Sequence, residues 1–178
     1  MAQPVLAPPR QLRFRLKPAG SVLGSVDGAW WPRSRRLPDE LPEIVQTISF
    51  RLPELERVCY RFQEWDDAPR RARIGDKWVR LDGYAHQRPE TIRFVGSGTT
   101  LVFALIAPDA DPEAAHDAMM LAAGRGNTQS PHDFYLTAEA NISDHRDTQT
   151  AEDDWESEGG QPPRRYADVH TRRPPSWA

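Results

Sequence analysis

Short stretches of the chain alternate between apolar and polar residues. In residues 12–17, Leu12, Phe14 and Leu16 share one side of the backbone, and residues 57–62 alternate in the same way. Successive side chains of a strand point to opposite faces, so a period of two is typical of a strand with one buried face. The pattern therefore predicts strands over both stretches.

Two hairpins supply the other predicted strands. The first joins 71–74 to 77–81 across Gly75-Asp76, where glycine can adopt the positive φ of a tight turn. The second joins 91–95 to 99–107 across a Gly-Ser-Gly turn, and its last strand is apolar on both faces. A strand without a polar face is typical of the middle of a covered sheet. We therefore expect this last strand to be central.

Two other segments have the spacing of amphipathic helices. Residues 39–52 repeat apolar side chains every three or four positions and carry Pro42 and acidic residues in the first turn. Asp111 and Pro112 open a second helix with an N-cap acid and a proline at the first helical position, and Gly124 ends it. We expect both helices to pack their apolar stripes on the sheet.

These elements predict an α+β fold, with an antiparallel sheet of five or six strands packed with two helices. The chain has 178 residues, enough for one domain of this kind and an appendage. We expect a flexible N-terminus over 1–10, a single domain over 11–136 and a disordered charged tail over 137–178.

The predicted tail changes sign along its length. Residues 138–160 contain eight acidic residues and one arginine, whereas residues 161–178 contain four arginines, one acid and four prolines. Such blocks bury too little apolar surface to offset the conformational entropy that folding removes. The composition therefore predicts disorder, with Trp155 and Trp177 as isolated docking anchors for a partner.

Composition also narrows the compartment and the chemistry. Cys59 is the one cysteine of the chain, so no disulfide framework can form within it, and the five histidines lack the spacing of a zinc site. The sequence does not open with a basic segment followed by an apolar stretch, and no apolar run is long enough to cross a bilayer. We expect a cytoplasmic protein with no membrane partner, no metal and no cofactor.

The loop after the first strand holds the most distinctive string of the chain, Val-Asp-Gly-Ala-Trp-Trp-Pro-Arg-Ser over residues 26–34. In this DGAWWPRS string and in four others the chain resembles an actinobacterial family of small uncharacterised proteins. The other strings are Glu40-Leu41-Pro42, Trp65, Ala68-Pro69-Arg70-Arg71 and Asp111-Pro112-Glu113-Ala114-Ala115. The resemblance covers roughly residues 12–136 and implies no activity and no catalytic residue.

The same loop is a candidate ligand site. Pro32 favours an extended conformation at Trp31, so the two adjacent tryptophan side chains should point apart. One of them could plug the core while the other lines a pocket in which a flat ligand stacks. The candidate ligand-binding residues are Asp27, Trp30, Trp31, Arg33 and Trp65. The alternative is a structural loop in which tryptophan closes one end of the sheet and Asp27 caps a turn.

The polar faces of the predicted strands share one residue type. If the apolar side of every strand faces one core, the opposite side carries mostly arginine, with one aromatic residue among them. The set is Arg13, Arg15, Arg57, Arg61, Arg71, Arg73, Trp78, Arg80 and Arg93. Such a face suits a nucleic-acid strand or another polyanion. Two alternatives remain open: a solvated face balanced by nearby glutamates, and a face covered by the acidic segment 138–160 of the chain itself.

A third candidate is the acidic run around Trp65. Glu64, Asp66 and Asp67 could act as general acid and base, or bind a hard cation, if they face one another. The alternative, which we favour, is that they cap turns at the end of a strand. His116 has no nucleophile at a recognisable spacing, so we expect it to face solvent, and we assign no catalytic residue.

The sequence therefore favours a cytosolic binding or regulatory module over an enzyme, with an unknown protein or polyanion as its partner. A small enzyme with a pocket formed by Asp27, Trp30, Arg33 and Glu64 is one alternative. A nucleic-acid-binding protein that uses the arginine-lined face is another. Geometry separates these classes, because a closed concave pocket favours chemistry and an open basic face favours binding.

Overall fold

The computed structural model describes residues 13–157, with side chains described for residues 13–144. Its strands are β1 Phe14–Leu16, β2 Gly28–Trp30, β3 Leu55–Arg61, β4 Arg71–Ile74, β5 Lys77–Tyr84, β6 Thr91–Gly96 and β7 Thr99–Leu105. Its helices are α1 Leu37–Ile48, a short 3-10 helix Phe62–Glu64, α2 Pro112–Ala122 and α3 Pro131–Ser157. The predicted flexible N-terminus, Leu12, the tail beyond residue 157 and the two docking tryptophans lie outside the described residues and side chains.

The seven strands of the described chain form one mixed sheet in the order β1-β2-β7-β6-β3-β5-β4. β2 runs parallel to β7 and β3 runs parallel to β5, while the other neighbours are antiparallel. The prediction of an α+β fold is confirmed, but that of an antiparallel sheet of five or six strands is wrong. The error has a physical source: β2 is only three residues long, too short to show alternation, and both parallel pairs join strands that are distant in sequence.

Helix α1 covers one face of the sheet. It buries Leu37, Leu41, Ile44 and Ile48, which follow one another at spacings of four, three and four and so form a single stripe. Against this stripe packs a large core that includes Trp30 and the inward residues of every strand from β2 to β7. Full burial of one such side chain contributes about 1.5–3 kcal/mol, so this layer holds most of the apolar stabilisation of the fold.

Helices α2 and α3 cover part of the opposite face, and α2 contacts β1 and β2. The side chain of Asp111 accepts hydrogen bonds from the two backbone N–H groups of Glu113 and Ala114, as expected of an N-cap. A stripe of buried alanines on α2 then allows the helix to lie close to the sheet. The polar side of β3, β4 and β5 lies outside this second core cluster.

Helix α3 runs through the point at which the sequence predicted a disordered tail to begin. Phe134, Ala138 and Ile142 lie four residues apart and are all buried, so the compact domain reaches Ile142 rather than residue 136. The helix continues to Ser157 within a second unit that starts at Ser143. Charged composition argued for disorder, but a four-residue apolar spacing suffices to hold one face of a helix on a core. The covering of the arginine-lined face by segment 138–160 stays a prediction.

Candidate functional site

The segment that carries the DGAWWPRS string belongs to the core. Its residues 28–30 form β2 between β1 and β7, and Trp30 is only 2% exposed. The ring of Trp30 packs on that of Trp65, with centroids 5.4 Å apart. Trp31 points to the opposite side of the sheet and is buried there, with the guanidinium carbon of Arg13 3.8 Å from its ring centroid. The two tryptophans therefore pack into two different core clusters.

Asp27 and Arg33 form hydrogen bonds to β7 and to α1, respectively. Oδ2 of Asp27 accepts the Val102 N–H at 2.8 Å, and the Asp27 N–H donates to the Val102 carbonyl at 2.6 Å. The Arg33 N–H donates to the carboxylate of Glu40 in the first turn of α1 at 3.1 Å. These contacts tie the loop to β7 and to α1. The five candidate ligand-binding residues thus do not share one pocket, and the loop has the contacts of the structural alternative.

Six of the eight predicted arginines do lie together. We call them, with Trp78, the arginine face; its members are Arg57, Arg61, Arg71, Arg73, Trp78, Arg80 and Arg93. They project from the polar sides of the adjacent strands β6, β3, β5 and β4. Arg15 lies on β1 and Arg13 just before it, at the other edge of the sheet, separated from the arginine face by β2 and β7.

Strand register places three of these arginines in one row. Arg71 is the partner of Arg80 in the β4–β5 pair, and Arg80 is the partner of Arg57 in the β5–β3 pair. Neighbouring strands are about 4.8 Å apart, so three positive charges stand side by side across the sheet. Like charges in directly opposed positions destabilise a sheet. Folding alone therefore does not favour this row.

Carboxylates at the arginine face offset part of this charge, and Glu56 lines a hollow together with Arg71, Trp78 and Arg80. Asp82, whose side chain is 21% exposed, lies 3.7 Å from Nε of Arg57 and 3.6 Å from Nη2 of Arg80. Arg73 pairs with the fully exposed Asp76 across the β4–β5 turn at 3.6 Å. Exposed pairs contribute about 0–1 kcal/mol, so the face keeps an excess of positive charge.

Flat aromatic surfaces lie among the arginines. Trp78 is 65% exposed and is the register partner of Arg73, and Tyr84 is 43% exposed and is the partner of Arg61. A groove of about 780 Å³ runs along β5. Its lining includes Arg57, Arg71, Arg80, Asp82 and Tyr84. Cationic and aromatic groups therefore lie together on one open surface.

A second hollow, of about 580 Å³, adjoins the groove at Tyr84 and includes Arg93. Gln87 lines it, and its Nε2 donates to the carbonyls of Cys59 at 2.9 Å and Thr91 at 3.1 Å. Both partners are acceptors, so the side-chain amide cannot be flipped. Oε1 of Gln87 is buried and has no hydrogen-bond partner within the described part of the chain. Gln87 therefore ties the connection before β6 to the backbone of β3 and β6.

Glu64 lines a separate cavity of about 260 Å³. Its Oε1 accepts the backbone N–H of Glu90, and its Oε2 is buried with no hydrogen-bond partner among the described residues. Burial raises the pKa of the Glu64 carboxyl, and the nearby Glu90 carboxylate raises it further, against lowering by the Glu90 N–H and two arginines. Burial in the fold thus opposes the ionisation of Glu64.

The other residues of the acidic run and of the predicted enzyme pocket lie elsewhere. Asp66 and Asp67 are exposed, and Asp66 pairs with Arg35 at 3.6 Å. Asp27, Trp30 and Arg33 are not among the residues that line the Glu64 cavity. His116 is exposed on α2, as expected. The pocket predicted for an enzyme does not form from these side chains.

Sequence reasoning missed Tyr84 and Gln87, and it considered Glu90 only as one of the glutamates that could balance the arginine-lined face. Tyr84 ends β5 beyond the predicted strand, and Gln87 lies in a connection with no periodic pattern. Glu90 has a φ of 56°, which is uncommon for a residue with a side chain. Only the Pro89 before it marked this connection as irregular, and no spacing in the sequence relates it to Glu64.

The comparisons with known proteins concern most of this architecture. Residues 13–122 match the model of a family described as "Family of unknown function (DUF5994)". The match spans every strand, α1 and α2, and it ends before α3. No curated protein and no solved structure matches the chain. Within residues 13–157, no helix is long and apolar enough to cross a membrane.

Proposed function

We propose that this chain, which belongs to the family of unknown function DUF5994, is a cytosolic binding module that holds single-stranded nucleic acid on its arginine face. The row of Arg71, Arg80 and Arg57 carries the proposal. Its repulsion is a cost to the fold that a solvated surface of mixed charge would avoid. A phosphate backbone laid across the row supplies the missing negative charge.

The aromatic residues favour a single strand over a duplex. Trp78 and Tyr84 offer exposed ring faces on which unpaired bases can stack, at about 1–3 kcal/mol per base. In a duplex the bases are already stacked on each other, and sequence is read by an element that enters a groove. The arginine face is an open sheet surface, to which a flexible strand conforms more readily.

Fluorescence anisotropy with labelled oligonucleotides of about 12 nucleotides tests the proposal. We expect binding that weakens as salt rises, with each phosphate contact adding about −0.7 to the slope of log K against log salt. The double variant Arg57→Glu, Arg80→Glu should weaken binding at least about tenfold. Circular dichroism verifies that the variant is folded.

The matched control carries the same charge change on other surfaces. Arg15→Glu, Arg125→Glu alters two exposed arginines away from the arginine face and should bind nearly as well as the original chain. Equal losses in the two double variants would reduce the effect to net charge and contradict the proposal. Failure of the original chain to bind any oligonucleotide at low salt would also contradict it.

A further inference from the structure

The hollow that adjoins the groove at Tyr84 is large enough for one nucleotide. We call it the Arg93 hollow; its wall is formed by the end of β5, the connection before β6, the first half of β6, Val102 of β7 and Ser25. Its volume of about 580 Å³ lies within the roughly 300–1,000 Å³ of pockets for drug-sized ligands. The hollow can therefore hold a whole chemical group of the strand, and not only one contact to it.

The open surface ends at this hollow. Tyr84 lines both the groove and the hollow, so the two are continuous on one side. On the other side, the register partner of Arg93 on β7 is Val102, which packs against the core cluster beneath α2 and α3. A strand that crosses the arginine face toward Arg93 meets the covered part of the sheet there. The hollow is therefore placed to receive the end of a strand.

The charge of the hollow differs from that of the groove. Arg88, Arg93 and His86 line the hollow and are exposed, and its lining includes no carboxylate within the described part of the chain. The lining of the groove includes Asp82, whose carboxylate pairs with arginines of the row. The hollow thus lacks the carboxylate that offsets the arginines of the groove, and it favours the ligand group with the highest negative charge.

The two arginines of the hollow start from backbone that Thr91 holds together. The Thr91 hydroxyl donates to the Arg88 carbonyl at 2.7 Å, and the Thr91 carbonyl accepts from Nε2 of Gln87 at 3.1 Å. Arg93 lies two residues further along β6, on the same side as Thr91 and about 7 Å from it. Long side chains that start this close together can reach one phosphate from two directions.

The acidic groups near Arg88 are partly engaged by other residues. The Glu90 carboxylate lies 3.9 Å from Nδ1 of His132 and does not belong to the lining of the hollow. Asp133 accepts from the Ser130 hydroxyl at 2.6 Å. Hydrogen bonds from Ser130 lower the pKa of the Asp133 carboxyl, with smaller contributions from His132 and Arg88. Arg88 thus shares part of its charge with Asp133 and should bind a phosphate less strongly than an arginine without such a neighbour.

We infer that the Arg93 hollow binds the terminal phosphate of a nucleic-acid strand, an inference that rests on the function proposed above. A phosphate monoester carries about −1.5 to −2 charges at pH 7, whereas each internal phosphate carries one. Arginine binds phosphate through two parallel N–H···O bonds. The ring of Tyr84, which is 43% exposed, lies where the hollow meets the groove and stacks the terminal base.

Three forms of one oligonucleotide of about 12 nucleotides test the inference. They carry an internal fluorescent label and a 5′-phosphate, a 3′-phosphate or hydroxyl groups at both ends. In fluorescence anisotropy at low salt, one phosphorylated form should bind about tenfold more tightly than the hydroxyl form, and the form that does so identifies the end. Equal binding of all three forms would overturn the inference and leave the proposed function standing. Binding of none would overturn both.

Substitutions in the hollow locate the phosphate. The double variant Arg88→Gln, Arg93→Gln should reduce the tenfold preference to about twofold or less, because both guanidinium contacts are lost. Arg93→Gln alone should reduce it more than Arg88→Gln alone, since Arg88 shares its charge with Asp133. Circular dichroism verifies folding.

The matched control is Arg15→Gln, which removes an exposed arginine at the other edge of the sheet. It should keep the full preference for the phosphorylated form. A preference that survived in the double variant, or that fell equally in Arg15→Gln, would show that the terminal phosphate does not bind in the Arg93 hollow.

Discussion

The side of the sheet opposite α1 has two halves that differ in what covers them. On β2 and β7 the residues of this side, such as Ala29 and Ala104, are buried beneath α2 and α3. On β3, β5 and β4 the equivalent positions hold the arginine face. A single twisted sheet thus changes from apolar to cationic across β6. Lack of cover explains why the second half is polar, but it does not explain why arginines outnumber carboxylates there.

The largest effect should come from placing an arginine in the covered half. Ala104→Arg puts a charge beneath α2 at a position that is 1% exposed. An unpaired buried charge destabilises a small domain by more than about 4 kcal/mol, so we expect the variant to unfold or to melt far below the original chain. Thr100→Arg lies on the same strand and the same side at an exposed position and is the control. If urea unfolding gave similar free energies for the two variants, the covered half would not be a packed core.

The alternation of the strands made the arginine face predictable, and the division of that side into two halves was not. Which residues share a side follows from period two within each strand, as for Arg71 and Arg73. Which strands share an end of the sheet depends on the order β1-β2-β7-β6-β3-β5-β4, set by pairings between distant segments. The prediction therefore placed Arg13 and Arg15 on the correct side of the sheet, but it grouped them with arginines that lie toward the opposite edge.

The DGAWWPRS string was predictable as important, and a structural role was predicted beside a ligand-binding one. Its glycine is required by close approach: a Cβ on Gly28 would lie 2.1 Å from the Arg15 carbonyl oxygen on β1. Trp30 fills the core under α1, and Asp27 ties β2 to β7. Each of these partners is remote in sequence, so a distinctive local string looked equally suited to a ligand. For the same reason the Glu64 cavity, assembled from five segments, had only Glu64 as a signal.

The second prediction separates a functional row of arginines from a merely exposed one. Arg80→Met removes the central charge of the row and keeps much of the apolar stem. Relief of repulsion should raise the free energy of unfolding by up to about 0.5 kcal/mol, partly offset by the lost contact with Asp82. Binding to a single-stranded oligonucleotide should weaken, and its salt slope should become shallower by about 0.7.

The control for this prediction is Arg15→Met. Arg15 is exposed on β1 and its register partner is Ala29, so no like charge is relieved. We expect neither a gain in stability nor a loss of binding, measured by urea unfolding and fluorescence anisotropy. Equal gains in stability for the two variants would show that the row is no more strained than an isolated surface arginine.

The smallest effect concerns the carboxylate of Glu64, whose side chain is partly buried. Burial and the Glu90 carboxylate raise the pKa of Glu64 in the folded chain above its ordinary value of 4.5. The folded state therefore prefers the protonated acid, and the stability that this proton contributes is complete below the unfolded pKa and is lost as pH rises through the folded pKa.

Glutamine cannot ionise. Relative to the original chain, Glu64→Gln should gain a few degrees in melting temperature between acidic and neutral pH, measured by thermal unfolding across that window. The exposed Glu54→Gln should show no such trend. If the difference in melting temperature between Glu64→Gln and the original chain did not change with pH, Glu64 would ionise as freely as an exposed glutamate. Burial would then not oppose a charge at this edge of the core.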